Sequence, residues 1–232
     1  MKDRVVIVTG AGRGIGKAIA LRFAGEHCRL VLAARTKKEI DKVADEARRK
    51  GAEALALPTD VSKEDQVHQL VKTAHKTFGR IDVLINNAGF GIFSKVAEMK
   101  TDDFQSMFDV NVRGVFFCTR SVIPYMVEQN DGVIVNIASL AGRNAFVGGA
   151  GYCATKWALI GFARSLMLEV REHNIRVITI CPGSVDTSFG RDEGKKKTIL
   201  QAQDVAETVL SAVRMPAHAM VSEIDIRPTN PK

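Results

Sequence analysis

A single doubly wound, Rossmann-type α/β domain is the fold class that this 232-residue sequence predicts. Three observations carry it. β-Branched apolar runs alternate with segments of helical spacing, a glycine-rich turn follows the first run, and polar or glycine residues follow each later one. Near-continuous apolar runs suit strands covered on both faces, which means a parallel sheet lying between helices.

In order, the runs are Val5–Val8, Leu30–Ala33, Ala54–Leu57, Ile81–Ile85, Val133–Ile137, Val177–Ile180 and Met220–Ile226. Six strand–helix units and a last strand make a parallel seven-stranded sheet with helices on both faces. Between the runs, Ile15, Ile19 and Phe23 trace one helical face. Val67, Leu70, Val71, Ala74 and Phe78 trace a second, with Ser62-x-x-Asp65 as its predicted cap. The stripe Phe104, Phe108, Asn111, Val115 marks a further helix, and another is predicted from Gly151 to about Arg171. No low-complexity linker or internal repeat interrupts the pattern, so residues 1–232 read as one domain.

Composition narrows the function. With 46% hydrophobic and 25% charged residues, the chain can bury a core without disulfides or metal. Cys28, Cys118, Cys153 and Cys181 are widely spaced and contain no C-x-x-C pair. That excludes a disulfide framework and a zinc site, and reduced thiols point to a cytoplasmic protein. The five histidines show no metal spacing, so no metal is expected. Met1–Arg4 leads directly into the first strand, no targeting signal is read, and no apolar run approaches the length of a membrane span. The net charge of +7 is scattered and stacking aromatics are few, so nucleic acid is not an expected partner.

In open sheets of this kind ligands sit beyond the carboxyl ends of the strands. Thr9-Gly10, Arg35, Asp60, Asn86-Asn87-Ala88-Gly89, Ser139 and Pro182-Gly183 each follow one strand, so six loops converge on one edge. Thr9-Gly10-Ala11-Gly12-Arg13-Gly14-Ile15-Gly16 joins a strand to a helix. Its glycines allow a tight turn and close approach to a pyrophosphate, and the helix N-terminus offers free N–H groups. Ala34-Arg35 ends the second strand where an NAD-selective site carries Asp or Glu. Arg35, with Arg13 opposite, offers a phosphate a charged donor fork, so NADP(H) is favoured.

Tyr152 and Lys156 are four residues apart on a predicted helix, which places both side chains on one face. A neighbouring ammonium, together with the positive charge of an oxidised nicotinamide, favours the phenolate, so the tyrosine pKa is expected to fall toward neutrality. Ser139 ends the fifth strand, within reach of the same spot. Asn111 sits on an apolar stripe, where a buried amide needs a polar partner.

These residues together resemble the short-chain dehydrogenase/reductase family, whose cofactor motif T-G-x-x-x-G-I-G stands here as Thr9 to Gly16. The resemblance covers nearly the whole chain and implies an Asn111-Ser139-Tyr152-Lys156 tetrad. Tyr152 would donate the proton to a carbonyl oxygen that Ser139 hydrogen-bonds. Lys156 would lower the tyrosine pKa and bind the nicotinamide ribose, and Asn111 would hold a water. The cofactor would touch Gly10, Arg13, Gly14, Ile15, Gly16 and Arg35, and its adenine would meet Asp60 and Val61. Asp60 also reads as a turn residue ahead of Ser62. Asn87, Ala88 and Gly89 would let the backbone pass close to the cofactor, Asn87 also bonding the central strands. Pro182, Gly183, Val185 and Thr187 would clamp the carboxamide.

The expected reaction is therefore reversible, NADPH-dependent reduction of a small-molecule ketone or aldehyde by a homotetramer or homodimer. A 3-oxoacyl-carrier-protein reductase is the second reading, although the ending Val221–Pro228 lacks the glycine-rich segment such reductases share. A non-catalytic NADPH sensor is the third. Residues 184–202 are expected to form a substrate lid that Arg191, Lys195, Lys196 and Lys197 make basic. Those charges read as a solvated loop or as a receiver for anionic substrates. Phe90, Phe93, Phe146 and Phe189 are candidates for an apolar pocket, or for plain packing.

Overall fold

The apolar runs become strands, and the structure, a computed structural model, describes residues 1–187 and 199–230. β1 (Val5–Thr9), β2 (Arg29–Ala34), β3 (Glu53–Pro58), β4 (Val83–Asn86), β5 (Gly132–Ile137), β6 (Ile175–Pro182) and β9 (Glu223–Ile226) form one parallel sheet. Its order is β3-β2-β1-β4-β5-β6-β9. A separate parallel pair, β7 (Val185–Asp186) with β8 (Leu200–Gln201), flanks the 188–198 segment. Most of the predicted lid, with Phe189, Arg191, Lys195, Lys196 and Lys197, lies outside the described residues.

Strand alternation divides the core between two faces. Val6 and Val8 of β1 point to the side covered by α1 (Gly14–Ala24), α2 (Lys37–Arg49) and α7 (Ala202–Val213). Val5 and Ile7 point to the side of α3 (Glu64–Phe78), α5 (Gly114–Gln129) and α6 (Ala150–Val170). The expectation of strands buried on both faces holds for β1, β4 and β5, whose residues are all buried. It fails at the edges. β3 is only half-buried, because a strand with one neighbour leaves a flank to solvent.

Two helix details differ from the sequence pattern. Ser62 does not cap α3. Its backbone N–H and hydroxyl both donate to Asp60 Oδ1, at 3.0 and 2.7 Å, and Lys63 occupies the N-cap position without a side-chain bond. The short-range bond to Asp60 outcompetes the cap because it closes a turn two residues long. The stripe through Phe104 to Val115 is also not one helix. α4 (Thr101–Phe108) passes into α5 through a π-helical turn, Asp109–Arg113. The extra residue turns Phe104 outward, to 42% exposure, and Asn111 inward.

At the opposite end of the sheet from the glycine turn, Asp82 gathers three strands. It is 1% exposed, accepts the Val5 N–H at 2.8 Å, and pairs with Arg4 and Arg80 at 2.6 Å each. Arg4 also pairs with Asp131, just before β5. Cutting out the buried carboxylate strands the Val5 N–H and takes a partner from Arg4 and Arg80, although Arg4 keeps Asp131. Asp82→Ala is expected to lower the unfolding free energy by about 1–3 kcal/mol, measured by urea denaturation; no measurable loss would mean that the Val5 N–H finds another partner.

Candidate active site

Glycine decides the first half of the site. Gly10 and Gly14 adopt φ of +64° and +53°, a region costly for other residues. A Cβ on Gly16 would meet the Gly10 carbonyl oxygen at 2.2 Å and Asn87 Nδ2 at 2.5 Å. The turn therefore closes only with glycine there, and α1 begins at once behind it. The first turn of α1 contains no acid, and its N-cap, Arg13, makes no side-chain bond. Its N–H groups and dipole are left to an anion, which suits a pyrophosphate.

Asn87 ties this turn to β4. Its Nδ2 donates to the Thr9 and Gly10 carbonyls at 2.9 and 3.2 Å, and its backbone N–H donates to Thr9 Oγ1 at 3.0 Å. Ala88 N–H joins the same hydroxyl at 3.1 Å. Thr9, the first residue of the glycine motif, thus organises the turn through its hydroxyl. Asn86 faces the other way, donating to Asn136 Oδ1 and Thr119 Oγ1 at 2.9 and 3.1 Å.

Arg35 and Arg13 are both exposed beside the turn. Glu39, from the first turn of α2, lies against Gly12, whose Cβ would meet Glu39 Oε2 at 2.8 Å. Thr36-x-x-Glu39 has the spacing of a capping box, a signal that would have found this carboxylate. Ile15 and Val61 pack their side chains into the two core faces, so only their backbone is free to meet a ligand. Asp60 is engaged in the turn with Ser62, as the second reading of that residue anticipated. At the far side of the turn, Thr187 lies against Gly14, whose Cβ would be 3.5 Å from the threonine methyl. Gly183 is fixed by donating its N–H to Ile226 at 2.8 Å.

Around Tyr152 the four tetrad residues come together. Ser139 hydrogen-bonds the Tyr152 side chain, and its Oγ also accepts the Ala141 N–H at 3.1 Å. Lys156 is buried, donates to the Ile137 carbonyl at 2.9 Å, and stands 5.7 Å from the tyrosine ring centre. Asn111, buried at the π turn, accepts Phe90 N–H at 3.0 Å and donates to the Phe90 carbonyl and Thr155 Oγ1 at 2.8 and 3.1 Å. Thr155, another residue missed from sequence, passes its own proton to the Tyr152 carbonyl at 2.8 Å. Both amide hydrogens of Asn111 are committed, so its side chain positions the Phe90 loop.

The protein's own groups act against the phenolate at Tyr152. Its pKa is pushed up to about 12, because burial penalises the phenolate more than the bond from Ser139 favours it. Burial likewise pushes Lys156 down to about 8. The lysine's described hydrogen bond goes to a backbone carbonyl, and desolvation dominates its shift.

A profile of the short chain dehydrogenase family matches residues 4–198. An uncharacterized oxidoreductase of Staphylococcus aureus (strain MRSA252) is 38% identical over 232 residues, covering 98% of each chain. An alcohol dehydrogenase from the archaeon Thermococcus sibiricus, solved with 5-hydroxy-NADP, superposes with a TM-score of 0.94 at 31% identity over 100% of both chains. A 3-ketoacyl-ACP reductase from Sinorhizobium meliloti 1021 gives 0.89 at 30% identity over 96% of each. These matches, with a doubly wound sheet and its loops at the carboxyl edge, make the protein an oxidoreductase. The chain belongs to the short chain dehydrogenase family.

The two shifted groups give a pH prediction. Unfolded Lys156 titrates near 10.5 and folded Lys156 near 8, so between these values the unfolded chain binds the extra proton. Stability then rises with pH across that window. Relative to Lys156→Met, the parent protein should gain on the order of 3 kcal/mol between pH 8 and 10.5. Urea melts at several pH values measure it, and parallel curves for the two proteins would refute the burial argument.

Proposed function

We propose that this protein is an NADPH-dependent carbonyl reductase, acting reversibly on a small ketone or aldehyde through Tyr152 and Lys156. The observation that carries the reading is the Tyr152 phenol, bonded to Ser139 and backed by buried Lys156, at the same sheet edge as the glycine turn. Bound at that edge, NADPH supplies a hydride to the carbonyl carbon.

The chain's own residues do the rest. Burial keeps Tyr152 protonated at neutral pH, which fits it to give a proton to the carbonyl oxygen. Ser139 hydrogen-bonds that oxygen as negative charge develops. Lys156 provides an ammonium beside the phenol, favours the phenolate once the proton has left, and binds the nicotinamide ribose. Asn111 holds the Phe90 loop by its amide, leaving its backbone to hold a relay water. The first-turn N–H groups of α1, with Gly10, Gly14 and Gly16, take the pyrophosphate. Asp60 and Val61 meet the adenine. Ala88 and Gly89, with Pro182, Gly183, Val185 and Thr187, border the nicotinamide. Arg13 and Arg35 take the 2′-phosphate, in agreement with the NADP analogue in the Thermococcus sibiricus enzyme.

The likeness to a 3-ketoacyl-ACP reductase keeps carrier-bound substrates as a second reading. Exposed Phe116, Trp157 and Leu168 on α5 and α6 support assembly through these helices, as a homotetramer or homodimer. The four buried free cysteines agree with a cytoplasmic location. Among the described residues no helix is long and apolar enough to cross a membrane.

Tyr152→Phe is expected to reduce NADPH oxidation with carbonyl substrates by at least about a thousandfold, while NADPH binding, read from its fluorescence, changes less than about threefold. Turnover at the parent level would remove Tyr152 from the mechanism. Exchanging Ala34 for Asp together with Arg35 for Ala should reverse the preference for NADPH over NADH by roughly a hundredfold in kcat/KM. An unchanged preference would show that the phosphate is held elsewhere.

A further inference from the structure

Two phenylalanines stand beside Tyr152 with no place in the core. Phe93 and Phe146 are 47% and 46% exposed, yet their rings are closely fixed. Phe93 packs edge-on against Tyr152, with ring centres 5.6 Å apart and planes at 88°. It meets Phe146 at 5.6 Å and 64°. Glycine makes both placements fit. A Cβ on Gly91 would come within 3.0 Å of the Phe93 ring and 3.1 Å of the Tyr152 ring. A Cβ on Gly149 would come within 2.6 Å of the Phe146 ring. The two loops are also joined by the Ser94 N–H bond to the Gly148 carbonyl, at 2.9 Å. Behind the tyrosine, buried Met107 and Cys153 pack the other side of its cluster.

We propose that Phe93 and Phe146 form an aromatic wall beside Tyr152 that selects carbonyl substrates bearing an aryl group on the carbonyl carbon. The proposal rests on the carbonyl-reductase reading and names its substrate class. An aryl ring entering next to the phenol completes a cluster of edge-to-face pairs, which gains more than the area it covers. A saturated group of equal size gains only the area. A short anionic acid gains neither, because it brings no ring and little apolar area to the wall. The substrate's aryl carbon framework is unchanged by the reaction; only its carbonyl gains hydride and proton.

Benzaldehyde and cyclohexanecarbaldehyde separate the cases, since they match in size and differ in aromaticity. With NADPH-loaded enzyme, the benzaldehyde to cyclohexanecarbaldehyde ratio of kcat/KM should fall about three- to tenfold in Phe93→Ala and again in Phe146→Ala. The affinity of the NADPH-loaded enzyme for benzyl alcohol, a dead-end pair with no hydride acceptor, should weaken to match when measured by calorimetry. Phe93→Leu and Phe146→Leu keep bulk at each position and should show the same loss of ratio, should an alanine variant fail to fold. A ratio unchanged in every variant overturns the aromatic wall while leaving Tyr152 chemistry intact. An unchanged ratio with a smaller assembly by light scattering makes the rings a subunit contact, and also overturns it. A parent enzyme that reduces neither aldehyde removes both this proposal and the reading beneath it.

Discussion

The side-chain amide of Asn87 fixes the distance between the glycine turn and β4, and the rest of the edge follows from that distance. Its Nδ2 serves two successive carbonyls, Thr9 and Gly10, while Thr9 Oγ1 accepts two successive N–H groups in return. The reciprocal bonds satisfy backbone groups that β1 and β4 leave unpaired where they separate. They also force the Gly10 carbonyl against Gly16, so no side chain fits at that position. The N-terminus of α1 is thereby set over the centre of the sheet. The loops after β4, β5 and β6 then have a common point to face.

Burial opposes charge at the other half of the site. Tyr152 and Lys156 are both inside, and desolvation acts on each against its ionised form. A short tyrosine–lysine spacing therefore does not by itself make an anionic phenol. The protein alone favours a protonated tyrosine beside a lysine that loses its proton more readily than usual. A positive charge brought near the phenol would favour the phenolate and ease release of its proton.

Much of this was legible in the sequence, for identifiable reasons. Strands buried on both faces write themselves as apolar runs, and the glycine turn follows from steric needs that no other residue meets. The Tyr152–Lys156 pair was legible because a helix places i and i+4 together. Ser62 was misread because its pattern describes a cap equally well as a turn, and only the position of Asp60 decides between them. Glu39 and Thr155 were missed, and the bonds of Thr9 were not foreseen, because these roles depend on contacts with distant segments. Spacing likewise reports that Tyr152 has Lys156 as a neighbour, but not how deeply the two are covered.

The π turn at Asp109–Arg113 has a consequence for reading any sequence of this architecture. An α-helix rotates about 100° per residue, so one additional residue puts everything after it out of phase with everything before. α4 and α5 look like one cylinder but present two unrelated stripes, and Asn111 lies at the join. A buried amide at that point spoils a hydrophobic stripe when the helix is drawn as continuous. Drawn with the slip included, it becomes the residue around which the helix changes sides.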